Sequence, residues 1–101
     1  MAIAFVSVVP LGTESTSLSH YVAKVTSVLN KETSVTTTLT GMGTIIEGEL
    51  ADILAVVQKI HEVPFSEGAH RVMTNINIDD RRDKKSSAQA KVASVKAKLG
   101  E

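Results

Sequence analysis

The chain contains no cysteine, which excludes disulfides, thiolate nucleophiles and cysteine-ligated zinc, and is compatible with a reducing compartment. Aromatic side chains are limited to Phe5, Tyr21 and Phe65, too few for the stacking platforms that hold single-stranded RNA. Excess charge of either sign is missing: eleven basic and eleven acidic residues cancel, leaving no net field to gather nucleic acid or an anionic membrane. No stretch approaches the ~20 consecutive apolar residues of a bilayer-spanning helix. The apolar start, Met1 to Val9, has no basic leader and is closed by Pro10 and Gly12, so it reads as a strand and not as a signal sequence. A cytoplasmic location is the expectation. Motifs of nucleotide and ester chemistry are missing too. Gly41-Met42-Gly43-Thr44 is neither a GxGxxG nor a lysine-bearing phosphate loop, and no Gly-x-Ser-x-Gly elbow occurs.

What is present is a 101-residue chain, 43% apolar and 22% charged, the size and balance of one globular domain spanning residues 1–101. Ala2 to Val9 is a Val- and Ile-rich run suited to a strand buried on both faces. Leu18, Tyr21, Val22, Val25, Val28 and Leu29 recur at helical spacing, with Ser15 or Ser17 as the expected cap. The β-branched run Ser34 to Thr40, the reversal Gly41-Met42-Gly43, and Thr44 to Glu47 together predict a hairpin. Leu50, Ile53, Leu54, Val57 and Ile60 trace a second helix, expected to end at His61 or Glu62 because Pro64 follows. From Val72 to about Asp79 apolar and polar residues alternate as in a strand with unlike faces. A last helix follows Ser87, with a narrow stripe of Ala88, Val92, Val95 and Leu99 and a left-handed cap expected at Gly100.

The order βαββαβ plus a C-terminal helix predicts an α+β fold, a ferredoxin-like α/β plait with a four-stranded antiparallel sheet. Two helices cover one sheet face. The other needs a partner, which the third helix or another subunit would supply, because large apolar patches are uncommon on monomers. The expected assembly is a homo-oligomer built from dimers, with Ala4, Val6 or neighbouring strand-one residues at a subunit contact and the charged run Asp79 to Lys85 near its rim.

Candidate chemistry is sparse. His20, His61 and His70 lack the i, i+3 or i, i+4 spacing of helical metal ligands, so no metal site is expected. Glu49 and Asp52 are explained by the dipole of the second helix, whereas Glu47, still on a strand, can face a cationic or amino-bearing ligand. The run Asp79-Asp80-Arg81-Arg82-Asp83-Lys84-Lys85 reads as a solvated connection whose charges pair locally. No acid, base and nucleophile stand together, and an enzyme is not expected.

Three segments carry a resemblance: Ser7-Val8-Val9-Pro10-Leu11-Gly12-Thr13, Gly43-Thr44-Ile45-Ile46-Glu47-Gly48-Glu49, and Arg71-Val72-Met73-Thr74-Asn75-Ile76-Asn77-Ile78-Asp79-Asp80-Arg81-Arg82. Together the sequence resembles the thiamine-binding protein family, grouped with the YkoF-like superfamily. The resemblance implies the ferredoxin-like fold, assembly into dimers or a homotetramer, and binding of thiamine or its hydroxymethylpyrimidine part without an established reaction. No resident cofactor is expected, and the balanced charge leaves no nucleic-acid or membrane partner expected either. A pocket for such a ligand needs neutral polar groups beside a carboxylate and an apolar wall. Ser7, Thr37, Thr38, Thr44, Glu47 and Thr74 are the candidates. The alternative is a structural or regulatory oligomer without a small-molecule ligand.

Overall fold

A computed structural model describes residues 1–13 and 18–100 of the protein. The elements run β1 (Ala2–Pro10), α1 (Ser19–Leu29), β2 (Thr36–Leu39), β3 (Thr44–Gly48), α2 (Leu50–Ser66), β4 (Val72–Asp80) and α3 (Ala88–Lys98). The strands form one sheet in the order β2-β3-β1-β4, and every neighbouring pair is antiparallel. This is the ferredoxin-like α+β plait, two βαβ units interleaved so that β1 and β3 lie at the centre.

Strand pleat assigns the faces. Ala2, Ala4 and Val6 of β1 lie opposite Gly48, Ile46 and Thr44 of β3, and all six are buried beneath the helices. Alanine at two of these positions leaves room for helix side chains, and Ile53, Val56 and Ile60 of α2 fill it with Val25 and Leu29 of α1. Ile3 and Phe5 point to the opposite face, where they are only half-buried. Strand one is therefore buried fully on one side, not on both. Ala4 (0% exposed) and Val6 (2%) belong to the subunit interior, which overturns their expected place at a subunit contact.

Two boundaries differ from the sequence expectation. α2 continues past His61 and carries Pro64 in its last turn, where a missing N–H costs one helical hydrogen bond and the pyrrolidine ring is buried. The helix ends two residues after Pro64, at Ser66, in a Schellman turn: Ala69 N donates to Pro64 O (2.9 Å), Gly68 N donates to Phe65 O (3.1 Å), and Gly68 adopts φ +97°. β2 is shorter than the β-branched run, because only Thr36 to Leu39 find partners on β3. The expected cap at Ser15 or Ser17 lies outside the described residues.

α3 is capped as expected, with Ser87 Oγ accepting from Ala90 N at 3.0 Å and Gly100 in the left-handed region at φ +78°. None of its residues is buried. It is tethered by polar contacts: Ala88 N donates to Glu47 Oε1 (2.6 Å), and Lys91 pairs with Asp79 (2.7 Å). It does not cover the open sheet face.

Two substitutions test this packing. Val6→Asp places an uncompensated carboxylate in the core at a cost of about 3–5 kcal/mol, so circular dichroism should report loss of the fold and not merely release of subunits. A Cβ at Gly43 would lie 2.6 Å from Val6 O and 2.9 Å from Phe5 Cζ, whereas one at Gly41 meets nothing within 4 Å. In urea unfolding, Gly43→Ala should therefore lose roughly 1–3 kcal/mol, while Gly41→Ala stays within about 1 kcal/mol of the parent.

Candidate functional site

Helix α1 and the β2–β3 hairpin converge on the second half of β1 and enclose a cavity of about 240 Å³. The hairpin owes its shape to Thr40. Its amide donates to Gly43 O (2.8 Å), and its hydroxyl donates to the same oxygen while accepting from the amides of Met42 and Gly43. The close approach of Gly43 to Val6 then seats the loop against β1. Val6 and Val8 form the floor, Val22 and Val25 one wall, and Leu39 another, so most of the lining is apolar.

Four hydroxyl-bearing residues, Ser7, Thr26, Thr40 and Thr44, interrupt that lining. Thr40 is saturated by the turn. Thr44 is 7% exposed, and the hydroxyl of Thr26 is buried with no hydrogen-bond partner. A buried hydroxyl without a partner costs about 1–3 kcal/mol, and the Thr26 oxygen, shut off from solvent in this rotamer, would have to turn toward the cavity to meet a partner there. No described residue lining the cavity is charged. The walls therefore suit a neutral molecule with mixed donors and acceptors, since a hydroxyl can both give and accept. Beyond its mouth a shallower groove continues between α1 and the hairpin toward Asn30 and Lys31.

The six sequence candidates do not converge. Ser7 and Thr44 line the cavity. Thr38 and Glu47 lie on the open sheet face, in a groove walled by Thr36, Ile45 and Val92 of α3. There Glu47 Oε1 accepts from Ala88 N, so its carboxylate satisfies an amide at the start of α3 and complements that helix's dipole. Thr37 pairs with Ile46 on the helix-facing side of β2 and is not part of the cavity wall. Thr74 lies under α2, its hydroxyl 2.7 Å from His61 Nδ1. Thr26 went unrecognised in the sequence, although a polar residue flanking the stripe of Val22, Val25 and Leu29 was the available signal.

The charged run after β4 pairs within itself. Arg82 reaches Asp80 at 2.7 Å and Arg81 reaches Asp83 at 2.8 Å, and these guanidinium hydrogen bonds hold both carboxyls below the usual carboxylate range. Arg81, Arg82 and Asp83 are exposed and the Asp80 side chain is 23% exposed, and pairs so near the surface contribute little to stability. Among the described residues no three His, Asp or Glu side chains gather as a metal site, and no helix is long and apolar enough to cross a membrane.

Comparison with known proteins assigns the chain. It is 53% identical over 102 residues to the UPF0045 protein YqgV of Bacillus subtilis, covering 98% of each chain, and 45% identical to a UPF0045 protein of Staphylococcus xylosus, covering 100% of this chain and 97% of that one. Hypothetical protein MJ1052 of Methanocaldococcus jannaschii superposes with a TM-score of 0.83 at 32% identity, over 94% of this chain and 95% of that one. Protein TM0486 of Thermotoga maritima shares the fold, with a TM-score of 0.75 at 18% identity over 93% of this chain and 97% of that one. The family model described as thiamine-binding protein matches residues 4–96, and the chain therefore belongs to the thiamine-binding protein family.

Proposed function

We propose that the protein binds the hydroxymethylpyrimidine part of thiamine, free or within thiamine, in the cavity between α1 and the β2–β3 hairpin, without catalysing a reaction on it. The observation that carries this reading is an otherwise apolar, uncharged cavity wall interrupted by Thr26 and Thr44. An aminopyrimidine is flat and neutral at pH 7, and offers both amino donors and ring-nitrogen acceptors, which hydroxyls can match. The volume of about 240 Å³ falls below the ~300–1,000 Å³ of sites for drug-sized ligands. One ring fits inside, and the cationic thiazolium of thiamine would remain at the mouth, in the groove lined by Asn30 and Lys31, where the lysine's like charge favours the free pyrimidine over thiamine. With no titratable group among the described lining residues, general acid–base chemistry has no evident agent there.

Self-association belongs to the same reading, into dimers or a homotetramer. Val92, Val95 and Leu99 of α3 are exposed, as is Met73 on the open sheet face. Apolar surface of this kind supports association, and by itself it also suits the second reading, a structural or regulatory oligomer without a ligand.

Calorimetric titration with hydroxymethylpyrimidine, thiamine and their phosphates separates the two. Binding is expected for the pyrimidine, and Thr26→Val should weaken it by roughly 3–10-fold, the worth of one neutral hydrogen bond, while Thr37→Val leaves it unchanged. No heat and no thermal shift at millimolar ligand would overturn the ligand reading and leave the oligomer. Glu47→Ala should speed amide hydrogen exchange at Ala88 and leave pyrimidine affinity unchanged. Loss of affinity in that variant would move the site to the open face.

A further inference from the structure

Charge is unevenly distributed around the cavity and the groove that continues it. The two share Val22, Thr26, Leu39, Thr40 and Gly41, and so form one continuous depression beside α1. Among the described residues that line either part, Lys31 alone is charged. Three other lysines are paired: Lys59 with Glu32 at 2.7 Å, Lys91 with Asp79 at 2.7 Å and Lys24 with Glu67 at 3.7 Å. Lys31 has no such partner among the described residues, and Glu32, the carboxylate next to it in sequence, is the one that Lys59 already holds.

Helical spacing places its neighbours. Ser27 and Asn30 line the groove with Lys31, and Asn30 follows Thr26 of the cavity wall by four residues, one turn or ~5 Å along the helix. Hydroxyl, amide and ammonium groups all donate to an anion. A lysine just beyond a helix C-terminus also offsets the negative end of the helix dipole, and Asn30 is the C-cap of α1. That role accounts for a positive charge at position 31, but not for the lack of any carboxylate along the depression. The same dipole opposes an anion and so keeps the attraction modest.

We infer that the ligand of this site is the phosphate ester of hydroxymethylpyrimidine, with its ring in the cavity and its phosphate in the groove against Lys31. This deepens the proposed function and rests on the cavity being the pyrimidine site. One carbon and one oxygen join the phosphate to the ring, so the anion emerges about one helical turn from it, at the level of Asn30. At pH 7 a phosphate monoester carries about −1.5 to −2 charges, opposite in sign to the thiazolium of thiamine. Lys31 therefore ranks the ligands, with the phosphate ester first, the neutral alcohol second and thiamine third. It sets selectivity, while the cavity wall recognises the ring.

Calorimetric titration of the whole chain with these three compounds tests the ranking. The ester should bind roughly 5–10-fold more tightly than the alcohol at low salt, as a partly exposed, hydrogen-bonded charge pair allows. That advantage should largely vanish at ~1 M salt, where the Debye length is ~3 Å. Lys31→Gln should abolish it without changing affinity for the alcohol, Lys31→Arg should retain it, and Lys31→Glu should place thiamine above the ester. Lys98→Gln, the same loss of charge at the end of α3, should change nothing. Lys31 is exposed, so all variants should keep the parent's circular dichroism spectrum; if Lys31→Glu unfolds, Lys31→Gln and the salt dependence decide. Binding of the alcohol with no gain from its phosphate, a gain that survives Lys31→Gln, or an equal loss in Lys98→Gln would overturn this inference and leave the pyrimidine site standing. Absence of binding by all three compounds would overturn the pyrimidine site itself and this inference with it.

Discussion

The burial of β1 between two strands and beneath two helices is the constraint on which the rest of the molecule depends. Its helix-facing residues, Ala2, Ala4 and Val6, are almost wholly removed from solvent. Two of them are alanines, so the helix layer can settle close to the sheet, with Ile53, Val56 and Ile60 of α2 as the bulk of the filling. Because β1 joins β3 on one side and β4 on the other, any shift of its register by one residue would turn this face toward solvent. The two βαβ units share one core through this strand.

The cavity follows from where that packing stops. α1 buries only Val25 and Leu29, toward its C-terminal end, while Val22 stays exposed at the wall of the cavity. The hairpin cannot close the space, since Thr40 locks its turn and Gly43 already touches the backbone of Val6. Filling it with larger side chains would add apolar burial, yet the wall instead holds Thr26 and Thr44. A polar group buried at a cost in stability is the kind of local inconsistency that marks a binding site.

On the other side of the sheet, polar tethers take the place of packing. Glu47 and Asp79 hold the start of α3 through an amide and Lys91, and the helix buries none of its own residues. Its stripe of Val92, Val95 and Leu99 is therefore left exposed, and β4 stands at an edge of the sheet. The subunit completes one apolar interface and leaves these surfaces incomplete.

Hydrophobic period and turn chemistry made the order of elements readable from the residues alone, because the alternation of Val72 to Asp80 and the spacing of Leu50 to Ile60 are properties of local backbone geometry. The left-handed glycine at Gly100 and the cap at Ser87 were equally local, and the three motifs pointed to the family that the comparisons assign. What failed was whatever depended on a neighbour distant in sequence. The end of α2 was misplaced, because a proline can occupy a last turn when its ring is buried. The candidate Thr and Ser residues scattered because period two shows that a strand has two faces without saying which is covered. The partner of Glu47 was likewise out of reach of local pattern, since its carboxylate accepts from an amide 41 residues away. Thr26 joins a cavity wall only because the hairpin closes over α1. The sequence by itself determined the elements, their order and the family, since each rests on local pattern. Only the tertiary structure decided where a cavity lies, because a cavity is defined by the side chains that do not meet.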